Sequence, residues 1–202
     1  MMGSPVNKNS KNIMGLIKPG TRGAEIGVWE GSSSVKFAAK GLEKLYLVDP
    51  WAVSGYDETR QSADHTHNHQ DWLIRYSKLT GGTDEESFTK YYNEVYDRVV
   101  KLFENKPEVE IRRQTSTEFF NTFEDEKLDW IYIDGDHSYS AVKRDLNGAL
   151  KVLKKGGMIL GDDYRWESDG DKGGVKAATR EFAYQNKFKI HRHGPDQFRI
   201  VV

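Results

Sequence analysis

The 202-residue sequence contains no cysteine. That excludes a disulfide framework and any thiolate metal site. It fits a reducing compartment, and a cytoplasmic protein is expected. A surplus of either charge is also missing: 30 basic residues face 31 acidic ones, for a formal net charge of -1. Such a balance gives no ground for non-specific binding to nucleic acid or to an anionic membrane. The first 20 residues hold no long apolar run, so neither a signal peptide nor a membrane span is expected there. There is no internal repeat and no low-complexity tract. The length suits one domain with a sizeable core, spanning 1–202, with 1–11 as a polar, flexible tail. Self-association stays open.

What the sequence does have is a rhythm of short apolar runs and amphipathic stretches. Strands are expected at Ala24–Val28, Leu45–Val48, Val109–Arg112, Leu128–Ile133, Met158–Leu160, Phe188–His191 and Gln197–Val202. Helices are expected at Ser33–Lys40, Phe88–Phe103, Thr117–Phe123, Ala141–Leu153 and Gly174–Asn186, with Lys154–Gly157 closing the fourth through a left-handed glycine cap. Alternating strands and helices specify an α/β, Rossmann-like sheet, mostly parallel, with helices on both faces. Only a Gly194-Pro195 turn precedes the last strand, which should therefore run antiparallel to its neighbour. Residues 51–105 interrupt the rhythm and read as an insertion over the carboxyl edge, a candidate lid.

In an open parallel sheet, ligands bind beyond the carboxyl ends of the strands. The first strand runs into Glu25-Ile-Gly27-Val-Trp-Glu-Gly31 and then a helix opening on serines. Glycines there admit close backbone approach, and a helix start offers free N–H groups to a carboxylate. Glu25 suits an ammonium group. Asp49, ending the second strand, suits the two hydroxyls of a ribose. A nicotinamide site would instead show Gly-x-Gly-x-x-Gly. Glycines alone would make only a tight turn, but an acid for an amine, a helix start for a carboxylate and an acid for a ribose together describe S-adenosylmethionine. The second acidic group comprises Asp134 after the fourth strand and Asp162 and Asp163 after the fifth. Carboxylates converging in a cleft repel unless protons or a cation neutralise them. Oxygen ligands favour a hard divalent ion, with magnesium the leading choice. Asp136 and Asp171 read as turn caps. His137 stands beside this group and titrates near neutrality, which suits a general base.

Two resemblances follow from these residues. Ala24–Ser33 resembles the first motif of class I S-adenosylmethionine-dependent methyltransferases, and Leu47–Trp51 resembles their second. This implies a seven-stranded sheet with its final strand antiparallel. It also implies a cofactor site holding Glu25, Gly27, Gly31 and Ser33 at the methionine end, Asp49 at the ribose and Ser116 near the adenine. Gln114 is a second adenine choice, Trp51 would pack on the cofactor or in lid core, and Asp134 borders the same site. The narrower pattern resembles metal-dependent O-methyltransferases of the catechol and macrolide-sugar types: Asp134 and Asp162 match two ligands, and His137 matches the proton acceptor. Lysine serves as base and asparagine as third ligand in the catechol type, where this chain has His137 and Asp163, so the match leans to the sugar type. The implied activity is metal-assisted O-methylation of a small hydroxylated acceptor. A metal-independent enzyme, an N-methyltransferase and a non-catalytic cofactor-binding module are the alternatives. The alternating histidines from His65 to His69 read as a solvated lid segment, Tyr91, Tyr92 and Tyr96 as a packing face, and Arg165 and Trp166 as candidates for the acceptor pocket.

Overall fold

Strand β4, Leu128–Ile133, is buried along nearly its whole length. A strand with no solvated face belongs at the centre of a sheet covered on both sides. In the computed structural model, which describes residues 13–52, 69–125, 127–168, 171–172 and 174–202, β4 holds that place. It pairs in parallel with β1 (Arg22–Ile26) and β5 (Leu153–Gly161). Outside β1 lie β2 (Lys44–Asp49) and β3 (Val109–Arg113), also parallel. On the other side β9 (Gln197–Val201) runs antiparallel to β5, and β8 (Ile190–His193) antiparallel to β9. The order is β3-β2-β1-β4-β5-β9-β8. β6 (Glu167–Ser168) and β7 (Asp171–Lys172) form a separate small hairpin.

Alternation along each strand divides the core in two. Ala24, Ile26, Tyr46, Val48, Ile131 and Ile133 face one layer. That layer is built by α4 (Ser116–Thr122), α5 (Tyr139–Val152) and α6 (Gly174–Gln185). Leu45, Leu47, Trp130 and Tyr132 face the other. Phe37 of α1 (Ser34–Ala38) and Val95, Val99 and Phe103 of α3 (Glu85–Phe103) pack there, with Leu73 of α2 (His69–Thr80). No helix among the described residues is long and apolar enough to cross a membrane.

One local expectation is corrected. The helix expected to end in a glycine cap at Lys154–Gly157 is α5, and it stops at Leu153, whose extended φ/ψ starts β5 directly. Gly156 does take φ 82°, but inside the extended segment. In the 51–105 stretch, α3 starts at Asp84, which caps the Ser87 N–H at 2.8 Å, and its Phe88-Tyr92-Val95-Val99-Phe103 stripe is core, as much a layer of the fold as any other helix. Tyr92 stacks on Phe88 at 4.5 Å, so the tyrosine face is a packing face. His65 and His67, like the tail 1–11, lie outside the described residues.

Candidate active site

Strand order reverses between β1 and β4, and the crevice beyond their carboxyl ends is where such a fold takes ligands. An open cleft lies there, walled by Gly27, Trp29, Asp49, Ser116, Asp134 and Asp145 among others. Its floor depends on Gly27. The Gly27 N–H donates to Val48 O at 2.9 Å, and the Asp134 N–H to Ile26 O at 2.8 Å, which draws the two strand exits together. Gly27 has φ 87°, and a Cβ there would lie 2.4 Å from Asp134 O and 2.6 Å from the Gly135 Cα. The glycine is required by the neighbouring backbone as well as by its own conformation. Gly31 (φ 76°) only closes the turn, its N–H donating to Val28 O at 2.9 Å.

Asp49 fastens this turn. Its Oδ2 accepts the Val28 and Trp29 N–H groups, each at 3.0 Å, and its Oδ1 accepts the Trp51 N–H at 2.7 Å. Burial raises its pKa, while the three N–H groups and Arg113 pull it back down. The bonds hold Trp29 at φ 48°, a conformation an L-residue keeps only when its surroundings impose it. Trp29 is 44 % exposed and lines the cleft. Trp51 does not: it is 1 % exposed, donates Nε1–H to Trp29 O at 2.9 Å and packs edge-on against Tyr96 at 5.2 Å. Of the two, Trp51 is core and Trp29 is the cleft tryptophan. The position of Trp29 between two glycines of the turn was the available signal.

Beneath the turn, Glu25 is 1 % exposed and accepts the hydroxyl of Ser34. Burial drives its pKa well above the usual carboxylate range. Ser33 sits one place earlier, at the helix start, without a side-chain cap bond, so Ser34 is the serine that touches Glu25. On the cleft wall, Ser116 Oγ donates to Asp145 Oδ1 at 2.5 Å. Gln114 is half-buried and does not line the cleft; its neighbour Thr115 does, and caps α4 in a reciprocal pair with Glu118. Asp145 is 2 % exposed and its pKa is raised to about 6, mainly by burial, with the Ser116 bond opposing. Its signal in the sequence was an acid on the apolar face of a helix, beside Val142, Leu146 and Ala149.

A raised folded-state pKa means the folded protein holds this proton more tightly than the unfolded chain. Stability attached to Asp145 is therefore greatest below about pH 4 and falls as pH rises toward 6, by up to about 3 kcal/mol. Asp145→Asn removes that slope. The melting temperature of the variant minus that of wild type should become more positive by up to ~10 °C between pH 4.5 and pH 8. A difference that does not change with pH would sink this assignment.

The acidic group converges in part. Ligand atoms of Asp134, His137 and Asp163 lie within 4.8 Å of one another. His137 Nε2 is 3.2 Å from Asp163 Oδ2 and 3.6 Å from Asp134 Oδ1, aligned as a hydrogen bond with neither. Asp163 reaches this place at φ 51°. Asp162 is turned the other way: it is 2 % exposed, its Oδ2 accepts from Tyr132 Oη at 2.8 Å and Gln197 Nε2 at 3.2 Å, and its Oδ1 accepts the Asp163 N–H at 2.9 Å. It braces Asp163 and stands outside the cluster. Burial raises Asp134 to about 6 against the pull of His137, and it also raises Asp163. Burial lowers the pKa of His137, but Asp134, Asp163 and Asp136 together outweigh it and the net shift is upward. The Trp166 ring lies 5.1 Å from the imidazole and is 38 % exposed, whereas Arg165 turns away to Asp196 at 3.0 Å.

This fold and this cleft define a methyltransferase domain. The methyltransferase domain family matches residues 24–164, and the chain belongs to it. An uncharacterized protein of Acanthamoeba polyphaga mimivirus is 26 % identical over 147 residues, 70 % of this chain. The chain spans about half the length of that curated relative, 52 %. Among solved structures, a candidate caffeoyl-CoA O-methyltransferase of Staphylococcus aureus superposes with a TM-score of 0.60 at 16 % identity, covering 96 % of this chain and 82 % of its own. The O-methyltransferase NovP gives 0.55 at 15 %, covering 97 % and 77 %. Aeropyrum pernix fibrillarin, solved with S-adenosyl-L-methionine, gives 0.55 at 12 %, covering 100 % and 70 %. At these identities the likeness is one of fold.

Proposed function

We propose that the chain transfers the methyl group of S-adenosylmethionine to a hydroxyl oxygen of a small acceptor, sugar- or glycoside-like, with His137 as general base and a divalent cation beside it. The observation that carries this reading is the meeting of Asp134, His137 and Asp163 beside a cleft that Asp134 itself lines. The donor set around the cleft suits the cofactor. Glu25, buried beneath the turn, would take the ammonium group. Asp49 would hold the ribose and Ser116 the base, both residues lining the cleft. Solved methyltransferases of this fold carry the same cofactor, as fibrillarin does.

Asp134 and Asp163 would hold the cation, a hard ion for oxygen ligands, with magnesium favoured. When bound, it supplies charge that brings neighbouring acceptor oxygens together and acidifies one hydroxyl. His137 Nε2 takes the proton of that hydroxyl. The new C–O bond forms as the sulfur–methyl bond breaks, its electron pair staying on sulfur as a neutral thioether. Asp162, held by Tyr132 and Gln197, fixes Asp163, and the turn clamped by Asp49 fixes the cofactor, so alignment is the protein's largest contribution. The exposed Trp166 offers the acceptor a flat apolar wall.

The test pairs chelation with calorimetry. EDTA should abolish turnover and magnesium restore it, and Asp163→Asn should weaken Mn²⁺ binding by roughly 10- to 100-fold. A second reading has its own observation: His137, if protonated between two carboxylates, neutralises the cluster without any metal. Chelator-resistant turnover would favour that reading, and an N-methyltransferase remains compatible with it. Cofactor binding without methyl transfer to any hydroxylated or amine acceptor would leave a binding module.

A further inference from the structure

The sheet has a second opening at its other end. The cleft lies by Gly27 and Asp134, where β1 and β4 leave the sheet. A separate cavity lies where the same strands enter it, beside Thr21 and Asp129. Lys18, Lys154, Lys155 and Arg199 line it. Asp129 is the only acid among the described lining residues, and it is already engaged. Its Oδ1 accepts from Lys154 Nζ at 2.8 Å, and its Oδ2 accepts the Arg22 N–H at 2.8 Å. The Thr21 hydroxyl donates to Lys18 O at 2.7 Å and accepts the Trp130 Nε1–H at 3.1 Å. The ammonium groups of Lys18 and Lys155 and the guanidinium of Arg199 have neither a hydrogen-bond acceptor nor a carboxylate partner among the described residues. Water satisfies the two exposed lysines. Arg199 is placed differently: it is half-buried on β9, and its Nε is closed off from solvent without an acceptor. A partly buried charge with no counter-charge is costly, because it gives up water without gaining a partner. Its field reaches His193, whose pKa burial lowers and Arg199 lowers further. The partner that fits is an anion.

We infer that this cavity binds the phosphate group of a small phosphate monoester. Such a group carries close to two negative charges above neutral pH and presents three acceptor oxygens. That suits a guanidinium fork with two ammonium groups beside it. Half-buried Leu16 and Met158 also line the cavity and offer the rest of the molecule an apolar surface. A nucleic-acid backbone phosphate has a single charge, and the balanced net charge of the chain gives a long polyanion no track to follow. The lining comes from the segment before β1, from β5 and from β9, so a bound phosphate ties three parts of the chain together. None of this depends on the methyl-transfer reading.

Titration calorimetry of the full chain at pH 8 and fixed ionic strength, with phenyl phosphate as the probe, tests the site. Saturable binding is expected, with inorganic phosphate several-fold weaker for want of an apolar body. Arg199→Gln should weaken phenyl phosphate by about 10- to 100-fold, as losing bonds from a charged donor does, and Lys155→Gln by roughly 3- to 10-fold. Lys155 is exposed, so its variant reads the site even where Arg199→Gln does not fold. Lys101→Gln, at an exposed position of α3, is the control and should change nothing. Absence of saturable binding overturns the inference, and so does an equal loss in Lys101→Gln. Displacement of phenyl phosphate by S-adenosylhomocysteine would move the anion into the cleft and overturn it as well. Inorganic phosphate binding as tightly as the ester would remove the ester assignment. Tighter, Lys155-dependent binding of a single-stranded RNA oligonucleotide would replace the small ligand with a nucleic acid.

Discussion

Gly27→Ala should lower the melting temperature by roughly 5–15 °C and remove cofactor binding at the same time. The Cβ would stand 2.4 Å from Asp134 O and 2.6 Å from the Gly135 Cα, both backbone atoms that cannot rotate aside. Overpacking of this kind costs about 1–3 kcal/mol, and an alanine at φ 87° adds about 1–2 kcal/mol of strain. The β4 exit must retreat, and it carries Asp134 and His137 with it. Gly31→Ala is the internal control. Its φ is 76°, but the nearest atoms to an added Cβ are Leu102 and Val99 side-chain carbons at 3.6 Å, an ordinary contact. Only the conformational cost applies, worth roughly 2–5 °C. Thermal melts of the two variants side by side test the argument. Equal losses would mean that the close approach of β1 to β4 contributes nothing.

The same pair of glycines shows what a sequence carries and what it does not. That the chain turns at Gly27 and Gly31 was legible, because glycine spacing between a strand and a helix has a local cause. That Gly27 touches the exit of β4 was not, because its neighbour lies more than a hundred residues away. The strands themselves followed from apolar runs, since an almost wholly buried strand such as β4 needs no partner to be recognised. Side-chain direction was the harder matter. Asp162 and Asp163 are adjacent acids, and only the φ 51° of Asp163 sends it to the cluster while Asp162 turns to Tyr132 and Gln197. Trp29 and Trp51 divide in the same way: one is held outward by Asp49, the other is drawn inward against Tyr96. Asp145 was hidden for a different reason. Its neighbours in sequence describe an ordinary amphipathic helix, and the residue that explains it, Ser116, belongs to another connection.

His137→Gln should reduce kcat by roughly 10²- to 10⁴-fold, the usual contribution of a positioned general base, while leaving Mn²⁺ affinity within a few-fold. The two measurements separate the roles open to this imidazole, which shares its cluster with both carboxylates. A ligand lost to the cation would show first in Mn²⁺ affinity, and kcat at saturating metal would recover much of its value. A base lost to the reaction would show in kcat whatever the metal concentration. The pH profile adds a direction. The three aspartates around His137 outweigh its burial and favour the protonated ring, which cannot accept a proton. Wild-type kcat should therefore rise with pH as the ring is released, and the profile of His137→Gln should lose that limb. A cation between Asp134 and Asp163 would neutralise the charges that hold the proton on His137, so adding metal should move the rising limb to lower pH. Turnover within tenfold of wild type in His137→Gln at saturating metal would take the base role away from this residue, and the proton would have to leave to solvent.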